Sequence, residues 1–96
     1  MARIDEAKYE AMISALYRFA SEVYNTASEM QTHALVCTQA LGEEDKAVPE
    51  IYKKIKECQL KYAEVTDQAK DIAEAMQAEL DEQRKEDAVW ASDDID

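Results

Sequence analysis

Apolar residues recur along the first half of the chain in alternating steps of four and three: Tyr9, Ile13, Leu16, Ala20, Val23, Ala27, Met30, Ala34, Cys37 and Leu41. This spacing keeps one stripe of a helix turned toward a partner helix, as in a heptad seam. Ahead of it, Asp5 is placed as an N-cap, with Ile4 and Tyr9 as the two halves of a hydrophobic staple. Gly42 follows the last apolar position, where a left-handed residue ends a helix. Helix one is predicted over about residues 6–41, roughly 54 Å long at 1.5 Å per residue.

The stretch GEEDKAVPE holds the only Gly and only Pro of the chain and reads as a turn over residues 42–48. Asp45 can cap the next helix, and Pro49 suits a first turn, where a missing N–H costs nothing. A second seam runs Val48, Ile51, Ile55, Cys58, Tyr62, Val65, Ala69, Ile72 and Met76. Glu79 and Gln83 stand at its next two positions, so the seam is predicted to end at Met76, with Leu80 as an outlying contact. Helix two is predicted over about residues 49–87, followed by an acidic tail over 88–96. The fold class is all-α, one domain built as an antiparallel two-helix hairpin.

Beside the first seam, Met12 and Phe19 occupy one flank and Tyr17 and Tyr24 the other. In a two-stranded coil such flanks are usually charged. Apolar flanks predict a further packing partner, with Met12, Tyr17, Phe19 and Tyr24 at the interface of a dimeric four-helix bundle. Both cysteines, Cys37 and Cys58, fall on the predicted seams. Two readings stand: buried thiols acting as small hydrophobes, or a disulfide between them.

Composition narrows the function. Of the net charge of -11, residues 67–96 carry -8, from eleven acidic and three basic residues. That balance disfavours phosphate-backbone and anionic-membrane binding, both of which need clustered Lys and Arg. No stretch approaches the roughly 20 apolar residues that span a bilayer, so no membrane insertion is expected. The opening MARIDEAKYE lacks the apolar core of a cleavable signal peptide.

Catalytic chemistry finds no purchase either. His33 is the only histidine and has Met30, not Glu, three residues before it. Di-metal bundles need inward Glu-x-x-His pairs, and zinc sites need closely spaced cysteines. No Gly-rich loop is present to cradle phosphate. The expectation is a protein without enzymatic activity, cofactor or metal.

A helical hairpin of about a hundred residues with a short central turn and an acidic end resembles the WXG (Esx-like) family of type VII secretion substrates. The C-terminal WASDD carries the second point of likeness: Trp90 and Asp94 match that family's aromatic-x-x-x-acid export signal. The family's Trp-x-Gly turn reads Ala40, Leu41, Gly42 here, keeping the glycine without the tryptophan. In this the chain is more similar to the small helical partners of LXG toxins. The resemblance implies a homodimer, or a heterodimer with a helical protein such as the N-terminal domain of an LXG toxin. It further implies that a secretion ATPase reads the tail, and that the chain is cytoplasmic before export and secreted or cell-surface afterwards. Two alternatives remain at this level: a coiled-coil adaptor that is not secreted and folds Trp90 back onto Leu80, or an acidic inhibitor of the immunity-protein type.

Overall fold

The computed structural model describes residues 3–93, with side-chain burial defined through Trp90. Two helices make up its regular structure: α1 (Glu6–Leu41) and α2 (Ala47–Asp93). They pack side by side as a hairpin measuring 79 × 18 × 16 Å. Its radius of gyration is 22.1 Å, where a compact chain of this length would have about 12 Å. The all-α hairpin is therefore the observed fold.

The helix ends follow from local chemistry. The Asp5 side chain accepts from the Lys8 N–H at 3.2 Å and caps α1. The Gly42 N–H donates to the Thr38 carbonyl at 3.0 Å, with φ 88 and ψ 154. The Asp45 carboxylate accepts from the Ala47 N–H at 2.8 Å. This cap starts α2 at Ala47, two residues earlier than the pattern suggests, with Pro49 still in its first turn.

Gly42 sits in a region of backbone space that is essentially closed to L side chains. An added Cβ would meet nothing within 4 Å, so any penalty there belongs to the backbone alone. Gly42→Ala is expected to lower stability by about 1–3 kcal/mol, read as a fall in the urea midpoint. An unchanged midpoint would mean that the turn relaxes at no cost.

The first seam is observed as predicted from Tyr9 to Ala34, and then shifts. Thr38, not Cys37, is the next buried residue. The α2 stripe runs Ile51, Ile55, Gln59, Tyr62, Thr66, Ala69, Ala73, Met76, Leu80, Gln83 and Asp87. Two successive steps of four, Met30–Ala34–Thr38 and Ile51–Ile55–Gln59, form stutters that face each other near the turn. A stutter unwinds the supercoil locally and carries the stripe one residue past the strict heptad.

Three expectations are corrected by this phase shift. Cys37 and Cys58 are exposed and free, so they are neither core thiols nor a bridge. The seam does not end at Met76: Leu80 is fully buried and Gln83 nearly so. The expected acidic tail is helical through Asp93, because the stripe keeps α2 paired as far as Asp87.

Small residues line much of the contact, with Ala20, Ala34, Ala69 and Ala73 all buried. They let the two backbones approach closely. The larger apolar cluster lies at the open end, where Ile13, Ala73 and Leu80 pack with Ile4, Tyr9, Leu16 and Met76.

Candidate interaction surface

Each flanking residue lies one position before or after a seam residue. In an antiparallel pair, "before" positions of both helices share one side of the hairpin and "after" positions share the other, since reversing the chain reverses both rotation and facing. Met12, Phe19, Val65 and Ile72 all precede seam residues and form one apolar side, with exposures of 49%, 47%, 39% and 52%. Tyr17, Tyr24, Leu35 and Tyr52 all follow seam residues and occupy the opposite side. A shallow groove there, about 390 Å³, is lined by Tyr24, Gln31, Gln59, Tyr62 and Lys70.

All four predicted flank residues are thus exposed, but they do not make one surface. Met12 and Phe19 are separated from Tyr17 and Tyr24 by the width of α1. Val65 and Ile72, which the heptad spacing assigns to the seam, lie on the surface instead. Their seven-residue spacing, matching that of Met12 and Phe19, was the available signal.

The open end is held by polar pairs across the hairpin. The Gln83 amide bonds reciprocally to Ile4, accepting from its N–H at 2.8 Å and donating to its carbonyl at 3.1 Å. Arg3 donates to both oxygens of Asp87 at 3.0 and 2.9 Å. The Tyr9 hydroxyl donates to Glu79 at 2.9 Å, and Arg84 pairs with Glu10 and Glu6. These contacts fix the register: Ile4 is level with Gln83, and Arg3 with Asp87.

Trp90 is the next residue on the α2 stripe after Asp87, one step of three further along. Level with Asp87 stands Arg3, so Trp90 projects past the first described residues of the chain on an overhang of α2. It is 70% exposed. The fold-back contact onto Leu80 is not made, because a continuous helix holds the two apart by roughly 15 Å. Asp94 lies outside the described residues.

The Arg3 hydrogen bond, followed by its charge, holds the Asp87 carboxyl below its ordinary 3.8. The hydrogen bond to Glu79, helped by partial desolvation and the Glu79 charge, raises Tyr9 above its ordinary 10.0. The signs are opposite. The Asp87 contribution is present above the unfolded aspartate value and is lost as pH falls through the depressed one. The Tyr9 contribution is present below the unfolded tyrosine value and is lost as pH rises through the raised one. Thermal melts across pH should therefore show Asp87→Asn selectively flattening the acid limb and Tyr9→Phe the alkaline limb. Limbs that superimpose on those of the parent would remove these pairs from the account.

Other chemistry is sparse. Among the described residues no three His, Cys, Asp or Glu side chains are grouped to hold a metal ion, and no helix is long and apolar enough to cross a membrane. His33 is exposed on α1. No family model, curated protein or solved structure matches the chain.

Proposed function

We propose that this chain is a non-catalytic binding protein of a type VII secretion system, which packs a helical partner against an exposed apolar flank and carries an export signal at Trp90 and Asp94. The observation that carries the reading is the placement of Trp90. A lone tryptophan on the overhang of α2, 70% exposed and separate from the core cluster, is available to a receptor as a small aromatic epitope. The helical hairpin suits a role in recognition, since its grooves are shallow and its largest surfaces are helix flanks. Partner packing would draw on apolar burial at about 25 cal/mol per Å².

Export of the full-length chain and of Trp90→Ala and Asp94→Ala variants, measured in cells carrying such a secretion machine, tests the reading. Loss of export from both variants with unchanged cellular folding is the expected result. Undiminished export of both overturns it.

A further inference from the structure

We propose that the strap ahead of α1, Arg3 and Ile4, is a latch that holds the far end of α2 in helical form, and that its release unwinds the segment presenting Trp90. The inference deepens the reading of Trp90 as a recognition epitope by naming what controls the epitope's shape. It takes its purpose from that reading, while its test stands apart from export.

Register is the first argument. α1 begins at Glu6, and the Asp5 that caps it is extended, with φ -79 and ψ 102. Extended chain rises about 3.3 Å per residue against about 1.5 Å in a helix, so the short strap spans more than a turn of α2. Ile4 thereby reaches Gln83, and Arg3 reaches Asp87. Gln83 is nearly buried and gives both ends of its amide to the Ile4 backbone. The Ile4 side chain packs against the apolar cluster that contains Leu80. At Gln83 and Asp87 the α2 stripe therefore faces the strap and not α1. Among the described residues these are the last contacts across the hairpin before the overhang.

Charge is the second argument. Residues 79–87 hold five carboxylates, Glu79, Asp81, Glu82, Glu86 and Asp87, against Arg84 and Lys85. Glu79, Glu82 and Glu86 are spaced three and four apart, where like charges destabilise a helix. Arg84 is turned away to Glu10 and Glu6 of α1. Arg3 sits among the carboxylates: it donates to both oxygens of Asp87 and lines, with Ile4 and Tyr9, a hollow walled by Glu79, Glu82, Gln83 and Glu86. The strap thus supplies both the counter-ion and the packing of this helix end, and packing is the main source of helical stability in a folded chain. Its contacts are few and partly exposed, so they can open locally while the rest of the hairpin stays folded. Linkage makes the coupling reciprocal: whatever grips Trp90 on a helix also holds Arg3 and Ile4 in place, and whatever pulls the strap away withdraws the helix from Trp90.

Amide hydrogen exchange of the full-length chain, followed residue by residue, tests the latch. In the double variant Arg3→Ala/Ile4→Ala, amides of residues 84–93 are expected to exchange at least about tenfold faster, while those of residues 55–70 keep the parent rates. Arg3→Glu should quicken the same segment, and adding Asp87→Arg should slow it again, because the exchanged charges face each other. Parent rates at residues 84–93 in the double variant overturn the proposal, since the helix end then stands without the strap. An increase spread evenly over α2 also overturns it, as a loss of global stability, and so does a charge exchange that restores nothing. None of these outcomes alters the export assay of Trp90→Ala, and undiminished export in that assay would leave the latch standing without its epitope.

Discussion

Leu80→Ala is expected to lower stability by about 3 kcal/mol, the largest single loss on the chain. Among the described residues Leu80 is the one large side chain that is wholly buried, and it packs with Ile13 and Ala73 in the apolar cluster. Truncation removes its transfer energy and leaves a cavity that the neighbouring helix cannot fill by simple collapse, because Gln83–Ile4 and Tyr9–Glu79 hold the helices in place on either side. The open end should loosen before the turn end. Amide exchange should then quicken in residues 4–16 and 73–87 ahead of the segment around Gly42. Leu60, 65% exposed, provides the comparison: its replacement by Ala should change stability by no more than about 0.5 kcal/mol. Equal losses for the two leucines would show that the open-end cluster does not govern the hairpin.

Trp90→Ala should separate export from folding. The indole is 70% exposed and outside the apolar cluster, so its removal returns little buried area to water. Stability, followed by thermal melting, should change by no more than the scatter of an ordinary surface substitution, about 0.5 kcal/mol. Export, on the proposed reading, should fall to background, because an aromatic anchor contributes most of the energy of a small epitope. The two measurements guard each other. A marked fall in stability would mean that Trp90 is part of the fold and that lost export reports unfolding, whereas full export at full stability would remove Trp90 from any targeting role. Fluorescence adds a direct check, since the free chain should show a water-exposed indole open to quencher.

Much of the architecture was legible in the one-dimensional pattern. The limits of α1, the cap at Asp5, the terminating Gly42 and the Asp45 turn all depend on neighbours within a few residues, and all are observed. The phase of the second seam was not legible. Cys58, Val65 and Ile72 are more apolar than Gln59, Thr66 and Ala73, so a reading by hydrophobicity selects the first set. The folded chain turns the second set inward instead, with Ala73 buried and Gln59 and Thr66 half-buried. One reason is geometric: the stutters at Ala34 and Ile55 rotate the stripe by part of a turn. The other is steric, because small residues at the contact let the helices close together while the larger side chains remain outside.

The burial of Leu80 and Gln83 has the same cause. With the seam taken through Ile72 and Met76, its next position is Glu79, a natural place to stop. With the seam through Ala73 and Met76, its next position is Leu80, and pairing continues to Asp87. The helical residues expected as a loose tail follow from this continuation.

The sequence by itself determined that two long helices form and fold back at one turn, since propensity, capping and a lone Gly–Pro interruption act locally. Only the tertiary structure decided which residues meet. Two nearly equivalent apolar stripes lie side by side on α2, and the choice between them depends on how closely α1 can approach. That distance is set by alanines and by a polar lock 79 residues apart in the chain, at Ile4 and Gln83. The same choice left Val65 and Ile72 on the outside beside Met12 and Phe19, and carried Trp90 beyond the end of the pairing.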